Sequence, residues 1–437
     1  KPAKQRKMTH CDGKKAEVRV SENGKLWSVD TDVEPEFLED MGVKLLGDEE
    51  DSNKSKLKGS KSPLGVELLS DSNSDEKKLP PKKRDQRTEN PVSEDFFLYR
   101  RRLPMHMTGI DVFSKLSDEL ILMIFKMLPK TMLARCSLVC KRWQRISYDE
   151  ALWIKMDLGS KTLAPNSLGH LLSRGTLALR LAQAEISDPI FYSSCSLLSN
   201  DVECKLQYLD LSMAVITEEG LASLLSVCRY LRKLSLEHCR VSEKVCLAIS
   251  RNPSLEVLNM SACYGVTDDC IISILDGCKK ILSLNLGWTN MSVDTLDVLC
   301  TDLPHSLQRI NMSGCRKTLT DDHVEQLVAS CPELVELDLS DCTTLTARTI
   351  SLVSTLHKIE YLALSRCYSI TPSAYLQLKS VKTLMYLDVF NLMSDQSIAN
   401  LQQNLPEVEI NKFLFSSVAR PTVGIRRTSI WGLRVRD

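Results

Sequence analysis

Cysteine is the residue type that offers this chain the most chemistry, because a thiolate can bind zinc or form a disulfide. The chain contains 16 cysteines. Only Cys136 and Cys140 approach the close spacing of zinc ligands, and no second Cys/His pair accompanies them. Many of the others are periodic with a recurring leucine pattern. Five of them lie eight residues after its first leucine: Cys239, Cys263, Cys315, Cys342 and Cys367.

Periodic placement is typical of small buried side chains, since a free thiol packs as a compact apolar group. We therefore predict reduced, buried thiols, no metal and no cofactor. Reduced cysteines in this number indicate a cytosolic or nuclear protein.

Other catalytic chemistry is not indicated by the residue pattern. His238 lacks a suitably placed Ser/Asp or Cys/Asp set, and there is no glycine-rich phosphate loop. The formal net charge is +0, so no global attraction to nucleic acid or an anionic membrane is expected. No apolar run reaches the 18 or more residues of a membrane span. The sequence predicts a non-enzymatic protein that acts by binding other proteins.

The leucine pattern itself predicts the fold. An L-x-x-L-x-L frame recurs nine times between Leu206 and Ile410, with first positions about 24 to 27 residues apart and a shorter last step. This is the period of leucine-rich repeats, in which one short strand per repeat stacks on its neighbours. We predict an α/β fold with a curved solenoid over residues 206–412. Residues 156–205 are predicted to be a linker with degenerate first repeats, at Trp153/Met156/Leu158 and Leu177/Leu179/Leu181.

Two columns of residues are predicted to line the concave surface, because their neighbours on each strand point into the core. The first is mostly small: Ser212, Glu237, Ser261, Gly287, Ser313, Ser340, Ser365 and Phe390. The second contains Met213, His238, Ala262, Trp288, Gly314, Asp341, Arg366 and Asn391. Trp and Arg are enriched at binding hot spots. The alternative is that Trp288 packs on its own turn while Asp341 pairs with Arg366.

Phosphate recognition by this surface alone is not expected. Its basic residues are sparse, comprising Lys233, Arg309 and Arg366, whereas direct recognition of phosphate normally uses an arginine cluster. A phosphorylated ligand would therefore need a further component to supply its phosphate site.

The C-terminal segment 413–437 does not continue the repeat period. One interpretation is a cap on the last repeat. The other is a tail that lies along the concave face, which would explain why that face has small side chains.

Residues 105–155 have a different pattern, with three short helical segments. Apolar residues recur at helical spacing from Leu120 to Leu128, and Pro129 ends the run. Three small helices cannot bury all their apolar groups. Phe125, Leu128 and Leu133 are therefore expected to remain at the surface for a partner helix. The alternative is a helical cap that closes the first repeat.

Residues 1–104 are polar and charge-mixed, and we predict a disordered regulatory region. Its basic cluster includes Lys82, Lys83 and Arg84, which is compatible with nuclear import or with an ordinary lysine-rich linker. We expect the protein in both the nucleus and the cytoplasm.

The helical module resembles the F-box through the spacing L-S-D-E-L…I-F…L-P…C-S-L-V-C-K-R-W…L-W. That resemblance implies docking on a Skp-type linker protein, which connects indirectly to a cullin–RING scaffold. It assigns the following residues to linker binding: Leu116, Leu120, Ile124, Phe125, Leu128, Leu133, Val139, Cys140 and Trp143. For Trp143 the expected role is packing within the module.

The whole chain resembles the S-phase kinase-associated family of leucine-rich-repeat F-box proteins. The matching motifs include S-R-C-Y at Ser365 and A-R-P-T-V-G…I-W-G at Ala419. The resemblance implies a substrate receptor of a Skp–cullin–F-box ubiquitin ligase, acting on phosphorylated Kip-type inhibitors of cyclin-dependent kinases at G1/S. A Cks-type accessory subunit would supply the phosphate site. It would contact Trp288, Arg316, Asp341, Arg366 and Phe390.

The same resemblance implies a cyclin A/CDK-binding region around Met41. Two alternatives remain open. One is an F-box repeat adaptor for a different substrate, without the Cks-type subunit, and the other is a non-catalytic repeat scaffold.

Overall fold

The computed structural model describes residues 112–199, 202–422 and 429–435, together with the backbone of one strand, β1 (Val43–Leu45). The basic cluster at Lys82, Lys83 and Arg84 and the region around Met41 lie outside the described residues. The chain divides into two units, of which Gly47–Ser117 contributes residues 112–117 to the description, including the short 3₁₀ helix Val112–Lys115. Apart from the burial of Leu116, everything that follows concerns the other unit.

Its α-helices are α1 (Asp118–Phe125), α2 (Lys130–Ser137), α3 (Lys141–Ser147), α4 (Ser167–Leu172), α5 (Glu218–Ser226), α6 (Glu243–Ser250), α7 (Asp268–Gly277), α8 (Val293–Asp302), α9 (Asp321–Ser330), α10 (Ala347–Val353) and α11 (Asp395–Asn404). Two further 3₁₀ helices span Glu150–Leu152 and Pro372–Ser380. The strands after β1 are β2 (Lys155–Asp157), β3 (Lys161–Leu163), β4 (Ala178–Arg180), β5 (Glu185–Ile186), β6 (Tyr208–Asp210), β7 (Lys233–Ser235), β8 (Val257–Asn259), β9 (Ser283–Asn285), β10 (Arg309–Asn311), β11 (Glu336–Asp338), β12 (Tyr361–Ala363), β13 (Tyr386–Asp388), β14 (Glu409–Ile410), β15 (Ser429–Ile430) and β16 (Leu433–Arg434).

Eleven parallel strands form one sheet in the order β14-β13-β12-β11-β10-β9-β8-β7-β6-β4-β2. The register aligns the second leucine-type residue of each repeat with that of the next, as in Leu284↔Ile310 and Ile310↔Leu337. These side chains are fully buried or nearly so. From β6 to β13, each strand of this sheet is followed by one α-helix or 3₁₀ segment. The predicted α/β solenoid is therefore confirmed.

The sheet begins earlier than the clear repeats do. β2 and β4 pair with each other, and β4 pairs with β6. Met156 and Leu179, at the centres of these two strands, are buried. These two strands lie at the positions where the sequence suggested degenerate first repeats, and the first of them begins at Lys155.

In each repeat from β6 to β13, the second-column residue lies three positions after the end of the strand and has a left-handed backbone conformation. The φ angle there is 56° at Met213, 62° at His238, 62° at Trp288, 62° at Asp341 and 60° at Arg366. Non-glycine residues seldom adopt such angles, because the Cβ atom crowds the backbone. The turn places the second column of side chains at the rim of the sheet, where the strands end. No residue pattern indicated this turn, since only Gly314 in this column is a glycine.

The five periodic cysteines are buried, and four of them donate a hydrogen bond to a carbonyl of the preceding repeat. The Cys263 thiol donates to the Leu236 carbonyl at 3.0 Å, and the Cys367 thiol donates to the Leu339 carbonyl at 3.2 Å. Burial raises the pKa of Cys367 to about 12, so its thiol stays protonated at neutral pH. The predicted burial of these thiols is confirmed, and the cysteines within the described residues are free.

β1 pairs antiparallel with β3, with Val43 opposite Leu163 and Leu45 opposite Lys161. The backbone of this short piece is the described part of the N-terminal region. Among the described residues, none of the helices has the length and apolar character needed to cross a membrane.

Candidate protein-binding sites

The helical module exposes a group of large apolar side chains. Met127 is 85% exposed, Leu138 75% and Val139 64%. Seven of these side chains, on α1 and α2 and in the turns that follow them, are here called the module surface: Leu120, Met123, Ile124, Met127, Met132, Leu138 and Val139. Clusters of exposed apolar residues mark protein–protein contact sites in soluble proteins. Three residues assigned to linker binding from the sequence, Leu120, Ile124 and Val139, belong to this surface.

Phe125 and Leu133 do not belong to it. Each is 1% exposed, so the expectation that they remain at the surface is wrong. The reason is that the three short helices pack on each other more completely than their size suggested. The Phe125 ring meets the Trp143 ring edge-on, with 5.3 Å between centroids, and Ile121 and Ile146 are also buried. Trp143 acts in packing within the module, as expected.

The remaining linker-binding candidates have intermediate positions. Leu116 and Leu128 are half-buried. Cys140 is exposed, and its sulfur accepts a hydrogen bond from the Trp143 backbone N–H at 3.5 Å, which caps α3. A cap of this kind fixes where the helix starts and so orients Trp143 toward Phe125.

Asp118 ties the first helix to the third. Its carboxylate accepts a hydrogen bond from Arg142 Nε at 2.8 Å and a second from Arg145. These hydrogen bonds, the one from Arg142 first, lower the pKa of Asp118 below its usual value. The pairs are solvent-exposed, so they orient the helices rather than contribute much stability.

A buried junction joins the module to the first repeat. Trp153 is 3% exposed, and its indole N–H donates to the Ser147 carbonyl at 2.8 Å. The Arg174 guanidinium, at the end of α4, lies 4.8 Å from the Trp153 ring and 4.6 Å from the Tyr148 ring. Stacking of this type favours a fixed geometry. The module is therefore held in a defined position against the repeats.

A second candidate site lies at the rim of the later repeats. Arg366 binds the Asp341 carboxylate through two nitrogens, with Nε at 2.8 Å from Oδ1. Arg316 reaches the same carboxylate at 4.0 Å, and its guanidinium lies 5.1 Å from the Trp288 ring. We call these four residues the rim cluster. One carboxylate faces two guanidinium groups, so the cluster carries a net positive charge.

The alternative interpretation, in which these residues contact one another, is partly confirmed. Asp341 does pair with Arg366, and Trp288 lies against its neighbour in the next repeat, since a Cβ on Gly314 would approach the Trp288 ring to 2.7 Å. However, Trp288 remains 43% exposed and the Arg316 side chain 60% exposed. The rim cluster is therefore an ordered, accessible platform. Phe390 is half-buried, and its backbone carbonyl accepts from the Arg366 N–H at 3.1 Å.

The third candidate site is the inner face of the sheet, which the C-terminal tail occupies. Phe413 packs edge-on against Tyr361 and Tyr386, with centroid separations of 6.0 and 5.1 Å. Further along, Asn285 Nδ2 donates to the Val418 carbonyl at 3.0 Å, and Arg420 pairs with Glu237 at 3.4 Å. The tail thus runs back across the sheet from β13 toward β7.

The end of the tail reaches the first repeats. Ile430 and Val435, in and after the β15–β16 hairpin, pack in one apolar cluster with Ala178 of β4. The Trp431 indole N–H donates to the Ala419 carbonyl at 3.1 Å, which closes the tail on itself. Of the two interpretations of residues 413–437, the tail on the concave face is confirmed.

Sequence reasoning missed the residues on which the tail rests. They form the column two residues before the small one, including Asn285, Asp338 and Asp388. Asp338 and Asp388 are buried carboxylates whose pKa values are raised, in both cases chiefly by burial. The Ser416 hydroxyl and the Ser340 N–H hydrogen-bond to Asp338. The period-2 alternation of the strands was the signal that could have found this column.

The raised pKa of Asp338 predicts a pH-dependent stability. Between the unfolded and folded pKa values the native chain binds more protons than the unfolded chain, so the Asp338 contribution falls as pH rises through the folded pKa. We expect Asp338→Asn to be more stable than wild type above that pKa, with the difference shrinking on acidification. Urea denaturation of both proteins from pH 5 to pH 8 measures this difference in the free energy of unfolding. Asp276→Asn, at a side chain 76% exposed, is the matched control. An Asp338→Asn difference that grows on acidification would contradict this.

No group of His, Cys, Asp and Glu suited to a metal ion occurs within the described part of the chain. The chemistry of all three surfaces is that of protein recognition: apolar side chains on the module, an aromatic and guanidinium platform at the rim, and hydrogen-bonding groups on the inner face.

Comparisons with known proteins agree with the division of the chain into a helical module and a series of repeats. A family model described as the SKP2 LRR domain matches residues 166–437, and one described as F-box-like matches residues 113–159. F-box/LRR-repeat protein 12 of Homo sapiens is 31% identical over 221 residues, covering 48% of this chain and 65% of that protein. F-box/LRR-repeat protein 21 of Mus musculus is 24% identical over 220 residues, covering 45% of this chain and 50% of that protein. The match therefore spans about half to two thirds of the length of these relatives.

Among solved structures, the crystal structure of the Rad7 and Elc1 complex in yeast matches at 13% identity and a TM-score of 0.35, covering 67% of this chain and 92% of that one. The leucine-rich repeat-containing protein LegL7 from Legionella pneumophila matches at 15% identity and a TM-score of 0.36, covering 55% and 85%. At these TM-scores neither likeness supports a conclusion.

Proposed function

Because this chain belongs to the leucine-rich-repeat F-box proteins whose repeats match the SKP2 LRR domain family, we propose that it is a substrate receptor of a Skp–cullin–F-box ubiquitin ligase. The observation that carries the proposal is the module surface: seven large apolar side chains remain exposed on a module that is otherwise well packed. A partner that covers them removes apolar area from water. The F-box resemblance identifies that partner as a Skp-type linker.

The receptor is proposed to act without catalysis of its own. Holding a bound protein near a ubiquitin-loaded enzyme on a cullin–RING scaffold raises the effective concentration of its lysines. The buried junction at Trp153 and Arg174 supports this role, since a fixed angle between module and repeats holds the substrate at a defined distance from the scaffold.

The direct test mixes the full chain with a purified Skp-type linker and measures the complex by calorimetry and size-exclusion chromatography. We expect a stable one-to-one complex. Absence of binding would overturn the proposal and favour the alternative of a repeat scaffold whose helices only cap the solenoid.

We further propose that the substrates are phosphorylated cell-cycle regulators of the Kip type, bound together with a Cks-type accessory subunit at G1/S. Support comes from the rim cluster, where Trp288 and Arg316 form an exposed platform of the residue types found at hot spots. It comes also from the charge: Arg366 is bound to both oxygens of Asp341, and Arg316, whose side chain is 60% exposed, is the more accessible guanidinium of the cluster. Two guanidinium groups that share one carboxylate are a poor phosphate site, so the phosphate pocket would come from the accessory subunit.

The rim cluster and Phe390 are the proposed contacts of that subunit. Cyclin A/CDK contact through the region around Met41, and distribution between nucleus and cytoplasm, complete the proposal. Both rest on the family resemblance and on residues outside the described ranges.

Truncation of the rim cluster tests the accessory subunit. We expect Arg366→Ala or Asp341→Ala to weaken binding of a Cks-type protein to the chain–linker complex by more than about 1 kcal/mol, as for interface anchors. Asp341→Ala removes the carboxylate that holds Arg366 in place, so both variants disorder the same platform. Binding is measured by calorimetry.

The matched control is Arg232→Ala, which removes an arginine paired with Glu256 on an earlier repeat, at a similar exposure of 44%. It should leave the affinity unchanged. If the wild-type complex does not bind a Cks-type protein, the chain is better described as an F-box repeat adaptor for a different substrate.

A further inference from the structure

The inner face of the sheet binds the main chain of the tail at two positions. Asn285 Nδ2 donates to the Val418 carbonyl at 3.0 Å, and the Asp388 carboxylate accepts from the Phe413 backbone N–H at 3.4 Å. Every peptide has these main-chain groups. Contacts of this kind bind an extended segment irrespective of most of its side chains.

Two side-chain positions add selectivity. One is an aromatic position, where Phe413 lies against Tyr361 and Tyr386. The other is an arginine position, where Arg420 pairs with Glu237, whose side chain is 12% exposed. Five residues separate Phe413 from Val418, which when extended span about 17 Å. The three strand spacings from β12 to β9 amount to about 14 Å. The tail is therefore nearly fully extended across the strands.

The charge of this surface also favours a particular ligand. Glu237, Asp338 and Asp388 supply carboxylates, and Asn285 supplies an amide. Buried carboxylates need hydrogen-bond donors or cations. A basic or hydroxyl-rich peptide meets that need, and the tail does so with Ser416 and Arg420.

The tail fills the surface imperfectly. Ser283 Oγ, on β9 and on the same side of the strand as Asn285, is buried without a hydrogen-bond partner among the described residues. The same is true of Arg420 Nε. Buried polar atoms left unpaired are costly. In addition, Leu414 and Phe415 remain 74% and 76% exposed although they belong to the bound segment. A segment that supplied a partner for Ser283 Oγ, and that left no buried polar atom of its own unpaired, would bind more tightly than the tail does.

We propose that the inner face from β7 to β13 is a binding groove for an extended basic peptide of a partner protein, and that tail residues 412–422 occupy it in cis as an exchangeable ligand. The preferred ligand carries an aromatic residue, then small or hydroxyl side chains, and an arginine seven positions after the aromatic one. The inference goes beyond the proposed function and uses neither the module surface nor the rim cluster.

The test measures binding of a fluorescently labelled peptide of residues 412–422 to the full chain by anisotropy. A tethered segment competes at an effective concentration in the millimolar range. We therefore expect little binding to wild type and at least about tenfold tighter binding to a chain whose own tail carries Arg420→Glu. Anisotropy with a peptide that carries Phe413→Ala and Arg420→Ala should show no binding.

Two further variants locate the peptide. Adding Asn285→Ala to the Arg420→Glu chain should reduce peptide binding at least about tenfold. Adding Glu237→Arg instead restores the pair with the opposite charges, so the tail should rebind and the peptide should again be excluded. Thermal unfolding of each variant confirms that it is folded.

Failure of the folded Arg420→Glu chain to bind the peptide would overturn the inference. Equal binding to wild type and to the Arg420→Glu chain would overturn it also, because the peptide would then bind elsewhere. Neither outcome affects linker binding, so failure here is distinguishable from failure of the ubiquitin ligase role.

Discussion

Exchanging Ile124 and Val139 for glutamate together is expected to weaken binding of a Skp-type linker by at least about 100-fold. Ile124 is 43% exposed and Val139 64% exposed, and both belong to the module surface. Placing a carboxylate in an apolar interface without a partner costs several kcal/mol, and a factor of 100 corresponds to about 2.7 kcal/mol. Calorimetric titration of the linker into each chain measures the loss.

The fold should survive this change, since both side chains lie at the surface and surface substitutions usually alter stability by less than about 0.5 kcal/mol. The matched control is Leu247→Glu on α6, where a side chain of similar exposure, 50%, lies on the repeats. We expect the control to keep full linker affinity. Undiminished affinity in the double variant would show that the linker binds a different part of the chain.

The repeats could be predicted in detail because their signal is redundant. A strand residue such as Leu337 is buried, and its equivalents recur at a constant period on both sides. An incorrect strand assignment in one repeat would have disagreed with the equivalent positions of the next repeat. The same redundancy explains the cysteines, since a thiol that recurs at one position of the repeat must occupy the same small space each time.

The helical module could not be predicted to the same depth, because α1 contains the uninterrupted apolar run Leu120–Phe125. Helical periodicity distinguishes inside from outside only when polar residues mark the outer face. Because apolar residues surround this two-turn helix, its sequence could not show which of Phe125 and Ile124 is buried. In the structure Phe125 is buried and Ile124 is exposed. The tertiary contact with Trp143 decides between them, and that contact is not encoded in local spacing.

The rim cluster shows a further limit. Trp288, Asp341 and Arg366 were identified by residue type, but their display depends on a left-handed turn at each of these positions. No glycine marks that turn in most repeats. The turn is imposed by the stacking of one repeat on the next, which specifies a backbone conformation that the local sequence disfavours. The position of the tail, in contrast, could be predicted. The small side chains of the first concave column indicated that another segment covers them.

These differences lead to a second prediction, about the module core. Phe125→Ala should reduce the stability of the helical module by about 3–5 kcal/mol, the range for removing a buried aromatic ring. The ring is 1% exposed and lies 5.3 Å from the Trp143 ring, so its loss leaves a cavity and removes an aromatic pair. Denaturation followed by tryptophan fluorescence measures the change, and linker binding should fall because the module no longer holds its shape.

Met127→Ala is the control, because Met127 follows the same helix but is 85% exposed, and its replacement should change stability by less than about 0.5 kcal/mol. The two variants separate a core role from an interface role at neighbouring positions. If Phe125→Ala kept wild-type stability while losing the linker, Phe125 would be an interface anchor, as the sequence pattern implied. If it unfolds the module, the proposed linker site must instead consist of the exposed side chains, and the Ile124 and Val139 variant becomes the decisive measurement of linker binding.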